Sequence, residues 1–311
     1  MMSAEIWAIG GGKGGTGKSL VTSGLAIYLA DRGKKVTLID ADLGGANLHS
    51  ILKIKKPAYS LTDFFEKKIT LTDIIEETGI PNLQLITGDI RSLTPDTLKY
   101  TQRLKLYRHI KTISSDYVLI DLGSGSALNT LDTFLLADKM ITITLPEIAS
   151  IENLYHFLKK VLFRKLNVFL ADHQLKDAAK RIWRNRKERN IKTIKDLINY
   201  FKGISGEVSG LIENEFSHFN VYVVVNQVRH NPHMQLGASI KSVIIKYFGI
   251  RALYAGCINY NESFWKYVDQ SDPILKMTSA KPVMEEIETI AQNLMENKQV
   301  KLGDISHEVL P

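Results

Sequence analysis

The stretch Gly10 to Ser19, reading GGGKGGTGKS, limits what this chain can fold into more than any other part of it. Gly12 to Ser19 satisfies the spacing G-x-x-x-x-G-K-[ST], and such a loop belongs between a buried strand and the start of a helix. Both flanks are present. Glu5-Ile6-Trp7-Ala8-Ile9 is a short apolar run suited to a strand, and Leu20 to Ala30 carries apolar residues at helical spacing. Glycines let successive backbone N–H groups point into one hollow. The helix start adds the positive end of its dipole. The expectation is a polyphosphate cradle formed by Gly12, Gly14, Gly15, Thr16, Gly17, Lys18, Ser19 and Leu20. Lys18 would reach the β- and γ-phosphates, and the Ser19 hydroxyl would face Mg²⁺.

Downstream strands carry carboxylates toward the same place. Lys35-Val36-Thr37-Leu38-Ile39-Asp40 is an apolar run ending in Asp40, with Asp42 two residues on in DADLGGANLH. In open parallel sheets a ligand lies at the carboxyl ends of the strands. Tyr117-Val118-Leu119-Ile120-Asp121 repeats the pattern and reads as a Walker B strand, its Asp121 placed to hold Mg²⁺ through water. Gly123-Ser124-Gly125 then predicts a tight turn near the γ-phosphate, with Gly123 as a candidate site residue.

The remaining strands are Leu83–Thr87, Met140–Leu145 (followed by Pro146-Glu147), Val221–Asn226 and Ala252–Ile258. Residues 53–80 read as a short helical module. A helix is expected from Thr94-Pro95-Asp96 to about Ile113. Another, from about Pro282 to Asn297, bears Val283, Ile287, Ile290, Ala291 and Leu294 on one face. Alternation of strand and helix predicts α/β architecture: one doubly wound, mostly parallel sheet with helices on both faces, over residues 1–297, with a polar tail at 298–311.

Composition removes several classes. No apolar run is long enough to span a bilayer. The start, Met1-Met2-Ser3-Ala4-Glu5, has neither a basic nor an apolar leader region, so a cytoplasmic location is expected. The single cysteine, Cys257, excludes an internal disulfide and a Cys-x-x-Cys cluster site, and reads as a packing residue. The net charge of +7 is uneven. Residues 156–202 hold 14 Lys/Arg against 4 Asp/Glu, leaving a net −3 for the rest.

That excess lies largely in a basic helical insertion at about 166–210, expected as one or two helices separated near Asn190. It contains Lys176, Lys180, Arg181, Arg184, Arg186, Lys187 and Arg189, with Trp183 among them. Four readings stand side by side: a core-facing helix with a solvated basic face, a surface for a protein partner, a binder of DNA phosphates, or an amphipathic helix on membrane. The alternation of Phe157-Leu158, Val161-Leu162-Phe163, Leu166 and Phe169-Leu170 with cations suits a helix lying on membrane and equally a binder of nucleic-acid phosphates.

Lys13 precedes the ordinary Lys18 in KGGTGKS, and this loop resembles the deviant Walker A of the MinD/ParA ATPases. DADLGGANL, DYVLIDLGSG, TLPE, VVVNQV and GCINYNESFWKYVDQSDP resemble later segments of that P-loop NTPase family, so that the resemblance covers about residues 4–165 and 215–295. SLTDFFEKKITLTDII and the IDLGSG turn look most like the MinD/FlhG branch, which positions division or flagellar machinery.

The resemblance implies a slow, Mg²⁺-dependent ATPase acting as an ATP-driven homodimer switch in the positioning of a division site, flagella or chromosome. It implies an unidentified protein partner and a peripheral place at membrane or nucleoid. Lys13 would reach across the dimer to the partner's phosphates. Asp42 would orient the attacking water, Asp40 would join Asp121 in holding Mg²⁺ through water, and Asn226 would contact adenine. Glu147 is a further site candidate, beside its reading as a plain helix N-terminal carboxylate.

The chain departs from the pattern in three places. Asn259 stands where the family carries an adenine-side proline. The last helix carries Glu285, Glu286, Glu288 and Glu296, which anionic lipid repels. Four residues precede the first strand, so the activating motif that the FlhG branch carries there is not expected. Other functions on this fold fit less well. A metal-cluster carrier needs paired cysteines. A tyrosine kinase needs a tyrosine-rich tail, whereas the last tyrosine here is Tyr267. An amidotransferase-linked ligase needs a further substrate domain. A ParA-like DNA-partition module using the basic insertion remains open.

Overall fold

The computed structural model describes residues 4–42, 45–54, 57–67, 69–88, 100–217, 219–230, 235–262 and 280–300. Its centre is an eight-stranded sheet in the order β3-β4-β2-β5-β1-β6-β7-β8. The strands are β1 Glu5–Gly10, β2 Val36–Asp40, β3 Ile75–Glu77, β4 Leu83–Ile86, β5 Tyr117–Asp121, β6 Lys139–Thr144, β7 Asn220–Val228 and β8 Arg251–Asn259. All neighbours pair in parallel except β3 with β4. The central strands are nearly continuous apolar runs because both their faces are covered.

One face is covered by α1 (Lys18–Asp31), α2 (Leu48–Ile51) and α11 (Lys281–Met295); Trp7, Leu38, Leu119 and Tyr222 point into this core. Gly24 lets α1 and α11 approach closely, since a Cβ there would lie 2.3 Å from Ile287 Cδ1. The other face is covered by α3 (Leu61–Glu66), α4 (Tyr100–Ile110), α5 (Leu128–Leu136), α6 (Ile148–Asp172) and α10 (Leu236–Phe248), packed over Ile120, Met140, Val223 and their neighbours. This is the doubly wound α/β fold.

Three features differ from their sequence-based outlines, and a fourth falls partly outside the described residues. Residues 53–80 are not only helical: after a 3₁₀ turn at Thr72–Ile74 comes β3, antiparallel to β4. The expected start at Thr94-Pro95-Asp96 lies outside the described residues, which enter the helix at Tyr100. The basic segment is not a separate piece beginning at 166. Residues 166–172 are the end of the 25-residue α6, followed by α7 (Lys176–Arg184), α8 (Ile194–Lys202) and α9 (Gly206–Ser217). Asn190 adopts φ 52°, marking the break between α7 and α8. Lastly, the apolar stripe Leu158, Val161, Leu162, Leu166, Phe169 and Leu170 is buried in the core, so that face of α6 is not presented to a membrane. Among the described residues no helix is long and apolar enough to cross a bilayer.

Candidate functional site

From β1 the chain runs to β2 on one side of it, and from β5 it crosses over to β6 on the other side. The loop from β1 to α1 therefore opens at the crevice where the strand order reverses, the place where open α/β sheets bind ligands. Gly15 and Gly17 adopt φ 75° and 85°, conformations that glycine takes without strain. Gly17 cannot carry a Cβ for a second reason: the atom would lie 2.2 Å from Asn226 Nδ2. Gly12 is pressed as closely, 2.0 Å being left between a Cβ and Asn153 O.

A hollow of about 240 Å³ lies over this loop. Gly14, Gly15, Gly17, Lys18, Ser19 and Leu20 line one wall; Asp42, Asn47, Ile51, Leu122 and Ser124 line the other. The glycines give open backbone with no side chain in the way, and the donor set is cationic and hydroxylic, which suits a polyphosphate with Mg²⁺. Lys18 is buried, and its Nζ donates to Lys13 O at 3.3 Å. Burial pushes its pKa down, opposed by the charges of Asp121 and Asp42.

Two carboxylates sit side by side beneath the hollow. Asp40 and Asp121 end β2 and β5 and are register partners. Asp121 accepts hydrogen bonds from Ser19 and, at 3.2 Å, from Thr22 Oγ1. Burial lifts its pKa to about 7; the Ser19 hydrogen bond works against that lift and the Asp40 charge adds to it. Asp40 is raised to about 6, again by burial, despite accepting from the N–H groups of Leu48, Asp42 and Asn47. Through those bonds Asp40 fixes the turn after β2 and the start of α2.

Asp42 is half-buried on the rim, against Gly123, where a Cβ would lie 2.8 Å from Asp42 Oδ1. The glycine of the turn after β5 thus makes room for the carboxylate after β2. Gly123, Asp42, Lys18 and Ser19 belong to one neighbourhood.

Lys13, Glu147 and Asn226, all predicted site residues, stand apart from the hollow. Lys13 turns outward and its Nζ pairs with Glu147 Oε2 at 2.8 Å, both side chains being partly exposed. Asn226 is 3 % exposed and is not among the residues lining the hollow. Its Nδ2 donates to Thr16 O at 2.9 Å and its Oδ1 accepts from Gln227 N at 2.9 Å, so its amide braces the loop from behind. Asn259 is held by Glu286 at both its backbone and side-chain nitrogens, 2.9 and 2.6 Å. Glu288 meets Tyr28 of α1 and Arg32, which follows that helix. These acidic residues of α11 therefore serve internal contacts. Cys257 is half-buried and hydrogen-bonded to Tyr254.

Sequence reading passed over Thr22, Asn47 and Asn153. Thr22 had a visible signal, lying one helical turn after Lys18 on the same face. Asn47 and Asn153 act through backbone atoms, which side-chain identity does not report.

The profile of the CobQ/CobB/MinD/ParA nucleotide binding domain matches residues 7–274. The septum site-determining protein MinD of Helicobacter pylori is 32% identical over 152 residues, 48% of this chain and 56% of MinD. The flagellum site-determining protein YlxH of the same organism is 31% identical over 173 residues, 54% of this chain and 57% of YlxH. The chain thus spans about half the length of these relatives. The structure of MinD from Pyrococcus horikoshii complexed with Mg-ADP superposes with a TM-score of 0.60 at 19% identity, covering 98% of this chain and 100% of that one. At that identity the likeness concerns the fold.

Proposed function

Because the chain belongs to the CobQ/CobB/MinD/ParA nucleotide-binding family, we propose that it is an Mg²⁺-dependent ATPase that works as a dimerisation switch. The observation that carries this reading is the parting of two lysines from one loop. Lys18 is turned into the hollow and buried; Lys13 leaves it and rests on Glu147 at the surface. A single-site phosphate binder needs only the first. The second is free to serve a phosphate that is not its own, as an arginine finger does in trans.

The loop amides and Lys18 would bind the polyphosphate. Ser19, with Asp121 and Asp40 through water, would hold Mg²⁺, which when bound neutralises phosphate charge. Asp42, lodged against Gly123, would orient the attacking water. Asn226 would keep Thr16 and Gly17 in place beneath the nucleotide. Leu128 and Ile148, 56% and 79% exposed, begin the two helices that follow the Gly123 turn and Glu147, and offer apolar surface to a second copy.

The names of the relatives suggest the purpose, namely placing a septum or a flagellum. Such a role on this chain rests on family likeness. Sizing the protein with ATP, with ADP and without nucleotide tests the switch. A dimer with ATP alone, lost in Lys13→Ala with ADP affinity retained, is expected. A nucleotide-independent monomer would overturn the proposal.

A further inference from the structure

The basic segment contains a groove that the nucleotide switch does not use. It lies between α6, α7 and α8 and encloses about 270 Å³. Its floor is Leu166, Leu170 and Leu197, all buried. Its walls are Phe163, Ala179 and Trp183. Trp183 is 39% exposed and meets Phe163 edge-on at 5.3 Å, so a large aromatic stands half out of an apolar concavity.

Lys180 lines this groove, Arg184 follows it one helical turn on along α7, and the Arg186 guanidinium lies over the Trp183 ring. From Lys180 to Arg189 there are six Lys/Arg and one carboxylate, Glu188. Some of these cations are engaged: Lys180 with Asp177 at 3.4 Å, Arg186 with Trp183 O at 3.1 Å, and Arg189 with the Tyr200 hydroxyl. Arg181, Arg184 and Lys187 are exposed and form no ion pair among the described residues. An apolar groove with an aromatic lip, Lys180 in its lining and the unpaired Arg184 one turn further along has the makings of a protein-binding hot spot, where Trp and Arg dominate. Its charge calls for a partner of opposite sign.

The geometry favours a protein occupant over the other polyanions. On α7 the large apolar side chains are Ile182, which is buried, and Trp183, so the helix has no apolar stripe to insert into a bilayer. The Trp183 ring already carries the Arg186 guanidinium 5.0 Å from its centroid and Phe163 at its other contact, which leaves a poor platform for a stacked base. A side chain entering the concavity, flanked by carboxylates that meet Lys180 and Arg184, satisfies both features at once.

We propose that the groove between α6, α7 and α8 is a docking site for an acidic protein segment that seats a bulky apolar side chain against Phe163 and Trp183. Peptides selected from a random display library on the full chain test this. The selected sequences are synthesised with a fluorophore, and their binding is followed by anisotropy. They should be rich in Asp and Glu around Trp, Phe or Leu. Their affinity should fall by at least about tenfold in Trp183→Ala and in Lys180→Glu/Arg184→Glu, with unchanged melting temperatures. The charge-reversal variant alters exposed positions only, so it reads the site even if Trp183→Ala loosens the groove. Phosphatidylglycerol vesicles and a short DNA duplex are run against the same variants. Failure to select acidic peptides, or peptide binding indifferent to both variants, overturns the proposal. So does variant-sensitive binding confined to the vesicles or the duplex.

Discussion

Lys13 Nζ lies 2.8 Å from Glu147 Oε2 of the same chain. The pair joins the loop after β1 to the residue that precedes α6, and both side chains are more than a third exposed. An exposed ion pair of this kind contributes only about 0.2–1 kcal/mol. Under the proposed role in trans, so weak a pair would not oppose transfer of Lys13 to a phosphate of higher charge. Glu147→Gln should release the lysine and tighten ATP-dependent association by up to about fivefold, the upper end of that range. Sedimentation of both forms with ATP measures it. Weaker association of the variant would place Glu147 in the dimer contact itself.

The two buried carboxylates make a pH prediction whose sign differs with and without ligand. The folded-state pKa values of Asp40 and Asp121, about 6 and about 7, lie above the ordinary carboxylate range. In the nucleotide-free protein their contribution is favourable at acid pH and is lost as pH rises from about 4 toward about 7, at about 1.4 kcal/mol per pKa unit. Asp121→Asn should therefore raise the nucleotide-free melting temperature more at slightly alkaline pH than at mildly acid pH. Mg²⁺ favours the ionised forms, so stabilisation of the wild type by Mg²⁺ and nucleotide should weaken as pH falls through this window. Thermal melts across pH, with and without Mg²⁺-ADP, check both signs. A nucleotide effect that strengthens on acidification would argue against carboxylates at the metal site.

Asn226 yields a separate test, because bracing the loop and reading a base have different consequences. Its amide hydrogen bond to Thr16 O is buried, and losing it leaves an unpaired carbonyl at a cost of about 1–3 kcal/mol. Asn226→Ala should therefore lower the melting temperature even without nucleotide and weaken ATP and GTP binding alike. If the residue served only the base, the nucleotide-free protein would melt unchanged and only the preference for ATP would fall.

The framework of this site was open to sequence reading because each part is carried by a short, strong signal. β2 and β5 are apolar runs closed by Asp40 and Asp121, and the loop spacing is tightly constrained by backbone geometry. β3 gave no such signal: Ile75-Glu76-Glu77 is three residues long and half-exposed, too short for a period to emerge. The continuation of α6 past 166 was obscured by Arg164 and Lys165. Yet Leu166, Phe169 and Leu170 prolong the buried stripe of Leu158, Val161 and Leu162 at helical spacing. The start of α8 had a readable mark in Thr193 and Asp196, which exchange capping hydrogen bonds of 3.0 and 2.8 Å. The outward turn of Lys13 and the backward turn of Asn226 were not legible, since each depends on a partner far along the chain.

Gly123 permits a test of Asp42 that leaves the carboxylate in the sequence. Asp42 would lie 2.8 Å from a Cβ at Gly123, well inside van der Waals contact, so Gly123→Ala forces the Asp42 side chain to move. Lys18 and the loop glycines are untouched by that change, and nucleotide affinity should stay within about threefold of wild type. Turnover should fall sharply, by roughly the 10²–10⁴-fold typical of a lost proton-handling or water-positioning group. Asp42→Ala should give the same pair of results and prolong the ATP-bound dimer. Steady-state phosphate release together with fluorescent-nucleotide titration separates the two quantities. If Gly123→Ala hydrolyses ATP at the wild-type rate, the position of Asp42 against that turn has no part in the chemistry. If both variants lose nucleotide affinity to the same degree as turnover, Asp42 belongs to the binding of ATP and not to the attack of water on it.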